Sequence, residues 1–496
     1  MGDEGARVDQ ETRKTAARHG GKDLTVGPIN STLLMFALPT LGSSILQSLN
    51  GSINAVWVGR FLGEEALAAT SNANLVMFLM FAGVFGFGMA ATILVGQCMG
   101  RRDIDGARRV MGSAIGMFVL LAALVAAGGW IYAPALLHLL GTDPSVFPLA
   151  LDYLRVIFLG MPPSFLTVLL MMGLRGTGDS MTPLWFMGLG AVIDVGLNPV
   201  LILGLGPVPP MGIAGSATAT LVASYISLIT LIFYIQWRDL SVRLRGAEWR
   251  YLWPDPLLLK VIVVKGFPMG LQMLVMSMSA LAVMGLVNRE GVATTAAYGI
   301  TSQLWTYIQM PALALGGAAS AMAAQNIGAG KWDRVGHIAR SGVIMNVLLT
   351  GAMVVILTLI DRQVLGLFLP PGGEALDIAR HIHLTVSWSF ILFGATLVLS
   401  GVVRANGAVL VPLLILTITA IPTRLGIAIA LLPMMGADAI WWSFPAGSIV
   451  SIILTVAYYR WGKWRDIKLI APIIAAEGEE RTLADGEPGG RLHPSG

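Results

Sequence analysis

Charged residues are scarce in this 496-residue chain, since Asp, Glu, Lys and Arg together make up only 12% of it. Soluble domains usually contain about 25% charged residues. Hydrophobic residues make up 55% of the chain, and the mean hydropathy is +0.74. The composition therefore excludes an ordinary soluble domain and indicates a protein that spans a membrane.

Cysteine is almost absent as well. Cys98 is the only one, which excludes an internal disulfide and a metal site built from several thiolates. HExxH and GxSxG motifs are missing, so neither a metal cofactor nor an enzymatic activity is predicted. The basic pI of about 9.2 does not indicate nucleic acid as a partner, because the positive charge lies at predicted membrane boundaries. The chain is expected to be a monomer in the lipid bilayer.

Twelve apolar segments are long enough to cross a bilayer as helices, which requires about 20 residues each. The separators between them contain Gly, Pro and charged residues, as in GRRDIDGARR and LPPGGEALD. The predicted spans are 32–57, 72–98, 111–134, 152–174, 182–206, 213–237, 264–287, 295–325, 338–360, 382–403, 411–434 and 437–459.

The positive charge is distributed unevenly between the two sides of the predicted membrane. Of the 32 Lys and Arg residues, 26 lie in the two tails and in the loops after even-numbered spans, and five lie on the opposite side. Arg424 alone falls within a span. Because cytoplasmic loops are enriched in Lys and Arg, both termini are predicted to be cytoplasmic, with the protein in the cell inner membrane.

The second half of the chain repeats the first. GMAATILVGQCMGRRDID, starting at Gly88, aligns with GGAASAMAAQNIGAGKWD, starting at Gly316, at an offset of 228. LRGTGDSMTP and VRANGAVLVP align at 229, as do Pro39 and Pro268. The predicted organisation is a disordered cytoplasmic tail at 1–30, an N-lobe of spans one to six at 31–237, a cytoplasmic linker at 238–260, a C-lobe of spans seven to twelve at 261–465, and a second tail at 466–496.

The repeat predicts the fold class: an all-α polytopic membrane protein with twelve transmembrane helices in two pseudo-symmetric six-helix bundles. Since six is even, both bundles enter the membrane in the same orientation, with a pseudo-two-fold axis along the membrane normal. Two bundles that rock about a central cleft suit alternating access. A transporter is therefore favoured over a channel or a receptor.

Several stretches resemble the MATE (multidrug and toxic compound extrusion) family, in particular its DinF-like branch. They occur at corresponding places in both halves, and include LPTLGSSILQSLNGSINAVWVGRFLGEEALAA, GFGMAATILVGQCMGRRD, LRGTGDSMTP, LNPVLILGLG, MGIAGSATAT and VRANGAVLVP. The resemblance implies a twelve-helix, two-lobed exporter of organic, often cationic, compounds. It also implies that inward flow of protons or sodium ions drives the export.

The chain departs from the family pattern in both lobes. The first span has Asn54 where relatives usually have Asp, and the fifth has Asp194 before Asn198, the reverse of the usual order. The C-lobe lacks the carboxylates that NorM-type relatives have in spans seven and ten, and Gln272 and Trp388 are among the residues found there. A NorM-type sodium site is therefore not expected in the C-lobe.

Asp194 lies about twelve residues from either end of its predicted span, or roughly 18 Å from each surface. A charge at that depth costs several kcal/mol, so the acid must face a cavity, have a partner or be protonated. Removal from water favours the protonated acid, which is the requirement for a proton-coupling group. Asn198 shares its helix face, and Pro199 is expected to kink the helix.

A polar stripe runs along the first span and is expected to face Asp194 across the N-lobe. Its spacings of four, three and four residues place Ser43, Gln47, Asn50 and Asn54 on one face. The alternative is that these side chains only bond the helices together. The predicted ion-coupling residues are Asp194, Asn198, Asn54, Gln47 and Asn50.

A second set of residues is predicted to form the substrate cavity. Methionine adapts to different shapes and aromatic faces attract organic cations, although such residues also pack between helices or face lipid. Arg424 is expected to line the cavity or to pair with a polar group such as Gln272. The candidates are Arg424, Gln272, Met273, Met276, Trp305, Tyr307, Met171 and Trp388.

The predicted function is a secondary active antiporter that exports small organic compounds in exchange for protons by alternating access. Two alternatives remain open at this point. One is coupling to sodium, since a carboxylate and several amide oxygens could hold Na⁺. The other is a flippase for a lipid-linked or amphipathic substrate, against which the single intramembrane Arg424 argues.

Overall fold

The computed structural model describes residues 22–204, 209–369, 373–467 and 469. This part of the chain is helical and contains no strand. The predicted fold class, with twelve spans in two six-helix lobes, is confirmed. The helices at the predicted spans are α1 Ile29–Leu62, α2 Glu64–Gly100, α3 Ile104–Leu139, α4 Phe147–Gly176, α5 Met181–Leu203, α6 Gly212–Trp237, α7 Pro256–Val287, α8 Val292–Gly328, α9 Trp332–Leu359, α10 as the pair Glu374–Val386 and Ser389–Arg404, α11 Leu410–Met435 and α12 Asp438–Trp461. Eleven of these, all except α8, contain a stretch long and apolar enough to cross a membrane.

Two of the C-lobe spans are irregular, which the sequence pattern did not predict. The two halves of α10 meet at 45°. At this break the Ser389 hydroxyl donates to the Val386 carbonyl at 2.7 Å, a local bond that competes with the helical ladder. In α11, residues Thr419–Leu425 form a π-helical turn that contains Pro422. Such a turn shifts the helix faces that follow it.

The ends of the even-numbered helices lie together at one face of the bundle, with the strap and the linker described below. We call this the basic face, because most of the Lys and Arg residues lie there. At its level the two lobes share one hydrophobic core, in which α2 packs against α8 where Gly96 faces the side chain of Ala324. The half of the C-lobe nearest the opposite face has a separate core rich in aromatic rings.

Glycines allow the lobes to meet backbone to backbone at the basic face. A Cβ at Gly100 would overlap the carbonyl oxygen of Gln325, and a Cβ at Gly328 would overlap that of Gln97. Gly86 approaches the backbone of α7 at Gly266 in the same manner. Small residues of this kind permit close helix contact in membranes, where van der Waals packing drives helix association.

Two reciprocal hydrogen bonds close the basic face, and we call them the glutamine latches. Gln97 in the N-lobe donates to the carbonyl of Ala405 at 2.7 Å, and Gln325 in the C-lobe donates to the carbonyl of Gly176 at 3.0 Å. Gln97 and Gln325 occupy equivalent places in the repeat, as do Gly176 and Ala405. The aligned glutamines of the sequence therefore serve the same purpose in both halves.

Residues 22–28 form an ordered strap rather than part of a disordered tail. The Leu24 amide donates to Gln325 Oε1 at 3.0 Å, and the Asn326 side chain donates to the Leu24 carbonyl at 3.1 Å. Lys331 donates to the Thr25 carbonyl at 3.0 Å. The strap leads into α1 but is held by the C-lobe. Residues 1–21 of the predicted tail lie outside the described residues, as do most residues of the predicted tail at 466–496.

The linker is held in the reciprocal way, since it leads into α7 but is anchored on the N-lobe. Arg108 of α3 pairs with Glu248 at 2.8 Å, and Arg109 pairs with Asp255 at 2.6 Å. Asp255 also accepts from the Leu257 amide at 2.8 Å and so caps α7. Helix α7 therefore begins at Pro256, within the predicted linker 238–260.

Candidate functional site

Asp194 lies deep inside the N-lobe. It is the fourteenth of the 23 residues of α5, roughly 20 Å along the helix from one end and 14 Å from the other. The side chain is almost fully buried, with 3% exposed. The helix continues through Pro199, so no break separates the acid from the rest of the span. The carboxylate therefore lies well inside the span, away from both helix ends.

Three helices supply hydrogen-bond donors to this carboxylate. The Asn50 amide of α1 donates to Oδ2 at 2.9 Å, and the Thr220 hydroxyl of α6 donates to Oδ1 at 3.0 Å. The Asn198 amide of α5 itself donates to Oδ1 at 3.2 Å. The three donors stabilise a charge that would otherwise be costly in the membrane. The predicted contact between the first span and Asp194 is thus present.

The residues of the predicted polar stripe on α1 have different hydrogen-bond partners. Asn54 does not reach Asp194, and its Oδ1 accepts a hydrogen bond from Ser216 at 2.8 Å. Gln47 lies exposed on α1 and has no hydrogen bond among the described residues. Of the predicted coupling residues, the structure brings together Asn50, Asp194 and Asn198.

Sequence reasoning missed the contribution of α6. Its hydroxyls at Ser216, Thr220 and Ser224 recur every fourth residue and therefore lie on one face, which points into the N-lobe. Thr220 contacts the carboxylate, and Ser224 bonds to Ser164 of α4 at 3.1 Å. The spacing was visible in the sequence, although small hydroxyl residues in a span are common at helix contacts.

Two amide oxygens beside the carboxylate have no partner in the described part of the chain. They are Asn50 Oδ1 and Asn198 Oδ1, and both are buried. Buried acceptors without donors are costly, so they favour the arrival of a proton or a cation. A proton on Asp194 would turn one carboxylate oxygen into a donor. A sodium ion would instead gain oxygen ligands from all three side chains.

The C-lobe has a positive charge in the corresponding region. The Arg424 guanidinium lies over the ring of Phe444, 3.3 Å from its centroid. The suggested pairing of Arg424 with Gln272 is wrong, because Gln272 accepts from Arg404 at 2.9 Å. The bend in α10 and the π-helical turn in α11 both change which side chains of these helices face α7. A regular spacing of 3.6 residues per turn describes neither helix.

The remaining cavity candidates lie in different environments. Trp305 is buried in the aromatic core of the C-lobe, and Met171 is buried in the core of the N-lobe. Met273 is half-buried on α7, whereas Met276, Tyr307 and Trp388 are exposed. Among the candidates, Arg424 and Trp305 are brought together through Phe444, since Trp305 and Phe444 have ring centroids 5.3 Å apart.

Two six-helix lobes related by a repeat, with a carboxylate buried inside a span, define a membrane transporter. The MatE family model matches residues 39–200 and 268–430, one stretch in each lobe. The chain belongs to this family, the MATE multidrug transporters.

Relatives and solved structures agree with this assignment. The chain is 34% identical over 446 residues to a protein of Bacillus subtilis (strain 168) named probable multidrug resistance protein YoeA, a match that covers 88% of this chain and 96% of that one. Probable multidrug resistance protein YpnP of the same organism is 31% identical, covering 90% and 98%. A crystal structure of MATE in the straight conformation has a TM-score of 0.81 at 20% identity, covering 88% and 97%.

Proposed function

We propose that this protein exports organic compounds in exchange for protons, with Asp194 as the proton-binding group. The basic face is cytoplasmic in this proposal, because the positive-inside rule assigns the side rich in Lys and Arg to the cytoplasm. The protein then acts in the inner membrane, and its strap, linker and glutamine latches lie on the cytoplasmic side.

The observation that carries the proposal is the set of three donors around Asp194. An ionised carboxylate at this depth depends on Asn50, Thr220 and Asn198 for its stability. Protonation removes the charge and turns one carboxylate oxygen into a donor, so the hydrogen bonds from α1 and α6 lose their charge assistance. The packing of α1, α5 and α6 therefore responds to the proton.

This response couples the proton to the cargo by alternating access. The lobes are closed against each other at the basic face by the glutamine latches and the glycine contacts. A proton that enters from the opposite face stabilises the arrangement of α1, α5 and α6 that releases cargo there. Release of the proton to the cytoplasm restores the charged cluster and completes the cycle.

Efflux from proteoliposomes with an imposed pH gradient tests the proposal, with norfloxacin, a fluorescent aromatic zwitterion, as the transported probe. Asp194→Asn keeps the size of the side chain and removes the titrating group, and we expect it to abolish gradient-driven efflux. Asp152→Asn is the matched control, because Asp152 is an exposed acid on α4. Undiminished efflux by Asp194→Asn would contradict the proposal.

Sodium coupling is the second candidate, favoured by the buried oxygens of Asn50 and Asn198. A carboxylate with two amide oxygens offers the hard ligands that Na⁺ prefers. The same proteoliposomes with a sodium gradient and no pH gradient separate the two cases. Efflux that is driven by a sodium gradient alone and is lost in Asp194→Asn would identify Na⁺, rather than the proton, as the coupling ion at this site.

A further inference from the structure

Arg424 is a charged group for which the proton cycle gives no role. It lies in the π-helical turn of α11, fourteen residues from the start of that span at Leu410. It forms no hydrogen bond or ion pair with any described residue, and its buried Nε lacks an acceptor. Its guanidinium contacts the ring of Phe444, and Tyr298 interacts with it electrostatically. A guanidinium without an acceptor inside a membrane protein is costly.

Aromatic rings surround the position of this guanidinium. Trp305 lies between Tyr298, Phe390 and Phe444, with ring centroids 5.9, 5.5 and 5.3 Å away. Its indole Nε1 is buried and has no acceptor among the described residues. The region therefore presents two kinds of unpaired donor, the guanidinium of Arg424 and the indole N–H, next to flat apolar surfaces.

No carboxylate of the described C-lobe residues is bonded to Arg424. Asp361 pairs with Arg380 at 3.0 Å, and Asp438 contacts His381 at 2.7 Å. Both acids lie near the ends of helices at the face opposite the basic face. The excess of donors over acceptors is thus a property of the C-lobe interior, and it is the opposite of the N-lobe site.

Contact with Phe444 places the guanidinium carbon over the ring but provides no hydrogen-bond acceptor. A cation over an aromatic ring is stabilised by the ring, but its N–H groups point outward in the plane and still require acceptors. An in-plane carboxylate, sulfonate or phosphate accepts two of these N–H groups at once. The Phe444 contact therefore leaves the hydrogen-bond requirement of the guanidinium unmet, and an anion would meet it.

We propose that the C-lobe interior binds the anionic group of an aromatic cargo. The negative group accepts hydrogen bonds from Arg424 and from Trp305 Nε1, and the flat body of the cargo packs on the surrounding rings. The substrate class is then an aromatic organic anion or zwitterion rather than a simple organic cation. This inference rests on the proposed export function, and it names the chemistry of the compound exported.

Binding of three naphthalene probes of similar size tests the charge preference. The probes are 2-naphthoate, 2-naphthamide and 2-naphthylmethylammonium, measured by equilibrium dialysis against the full-length protein in nanodiscs, with empty nanodiscs subtracted. A charge-assisted hydrogen bond contributes about 1.5–3 kcal/mol, so we expect naphthoate to bind roughly tenfold to hundredfold more tightly than the amide. The ammonium probe is expected to bind most weakly.

Substitutions at the two donors locate the preference. Arg424→Gln is expected to remove it, and Arg424→Lys to retain part of it, because lysine keeps the charge without the planar fork. Trp305→Phe keeps a ring in the core and removes only the indole donor, so it is expected to lower naphthoate binding about threefold to tenfold. It also serves as the test if Arg424→Gln does not fold.

The outcomes that overturn the inference are separate from those that overturn proton coupling. Equal binding of naphthoate and naphthamide by the unsubstituted protein, tighter binding of the ammonium probe, or no saturable binding of any probe would each contradict an anion site. So would a preference that survives both Arg424→Gln and Trp305→Phe. Asp194→Asn is expected to keep the naphthoate preference while losing proton-driven efflux, so the two proposals fail independently.

Discussion

Midway along α5 the N-lobe has Asp194, and at the equivalent place in α11 the C-lobe has Thr423 followed by Arg424. The acid is held by donors from three helices, whereas the guanidinium lies on an aromatic ring and lacks acceptors. The interiors of the two repeats thus carry opposite charges. At the basic face the same two repeats use the same glutamine in the same way.

Geometry explains why one part of the repeat is symmetric and the other is not. A residue on the pseudo-two-fold interface contacts the other half, as Gln97 and Gln325 do, so a change on one side must fit the backbone of the other. A residue in the interior of a lobe contacts only other helices of the same lobe. The interior of each lobe was therefore free to acquire its own chemistry, while the interface was held to a common shape.

The largest expected effect on closure of the two lobes comes from overfilling the interface. Gly328→Val places a side chain against the Gln97 carbonyl, and overpacking of this kind costs about 1–3 kcal/mol, or roughly fivefold to 150-fold in the ratio of closed to open molecules. Gly317→Val is the control on the same helix, since a Cβ there meets nothing within 4 Å.

Spin labels at Arg238 and Arg460 measure the opening. Both residues are exposed where α6 and α12 end, and Cys98→Ser removes the one native thiol. We expect Gly328→Val to lengthen the distance between the labels and to reduce efflux, with Gly317→Val unchanged. Equal distances in both variants would show that the glycine contact does not govern closure.

Removal of the glutamine latches tests the symmetry of the interface directly. Gln97→Leu and Gln325→Leu each leave a buried carbonyl without a donor, at a cost of about 1–3 kcal/mol to the closed state. Gln325→Leu is expected to be the more damaging, because it also removes the acceptor of the Leu24 amide. The same label distances measure both effects, and a larger effect of Gln97→Leu would contradict the role of the strap.

A pair of hydroxyl deletions compares the two interiors. Thr220→Val removes a bond to the carboxylate, worth about 1.5–3 kcal/mol, so initial proton-driven efflux should fall roughly tenfold or more. Ser279→Ala in the C-lobe removes only a bond to the Ala420 carbonyl and should cost about 1 kcal/mol of stability without changing the coupling. Similar efflux rates for the two variants would place the coupling outside the N-lobe cluster.

The smallest effect is expected at the linker. Glu248→Gln breaks the pair with Arg108, which is partly exposed and therefore contributes less than about 1 kcal/mol. The midpoint of thermal unfolding in detergent should fall slightly at low salt, and the difference should shrink at high salt because ions screen the pair. A large, salt-independent decrease would indicate that the linker does more than join the lobes.

Much of the N-lobe site followed from the sequence because its parts obey regular helical spacing. The depth of Asp194, the shared face of Asn198 and the facing stripe with Asn50 all follow from 3.6 residues per turn. Thr220 was missed because a hydroxyl can bond its own helix, so its presence in a span does not specify a partner. The available signal was that Thr220 follows Ser216 by four residues, which places both hydroxyls on one helix face.

The C-lobe was harder to predict because its helices are irregular where the polar residues lie. The pairing of Gln272 with Arg404, rather than with Arg424, depends on how α10 bends and on where the π-helical turn of α11 rotates the chain. Neither feature has a clear signature in hydropathy. The strap was missed for a different reason, since a short polar stretch before a first span has the composition of a free tail.

The strap and the linker together give the protein the geometry of a dimer with exchanged arms. The segment before α1 is bound by the C-lobe through Gln325, Asn326 and Lys331, and the segment before α7 is bound by the N-lobe through Arg108 and Arg109. Arm exchange is a common route by which identical units become a stable pair. A cut within the linker would therefore leave two half-chains that remain associated. The strap of the first would bind the C-lobe, and the linker segment of the second would bind the N-lobe.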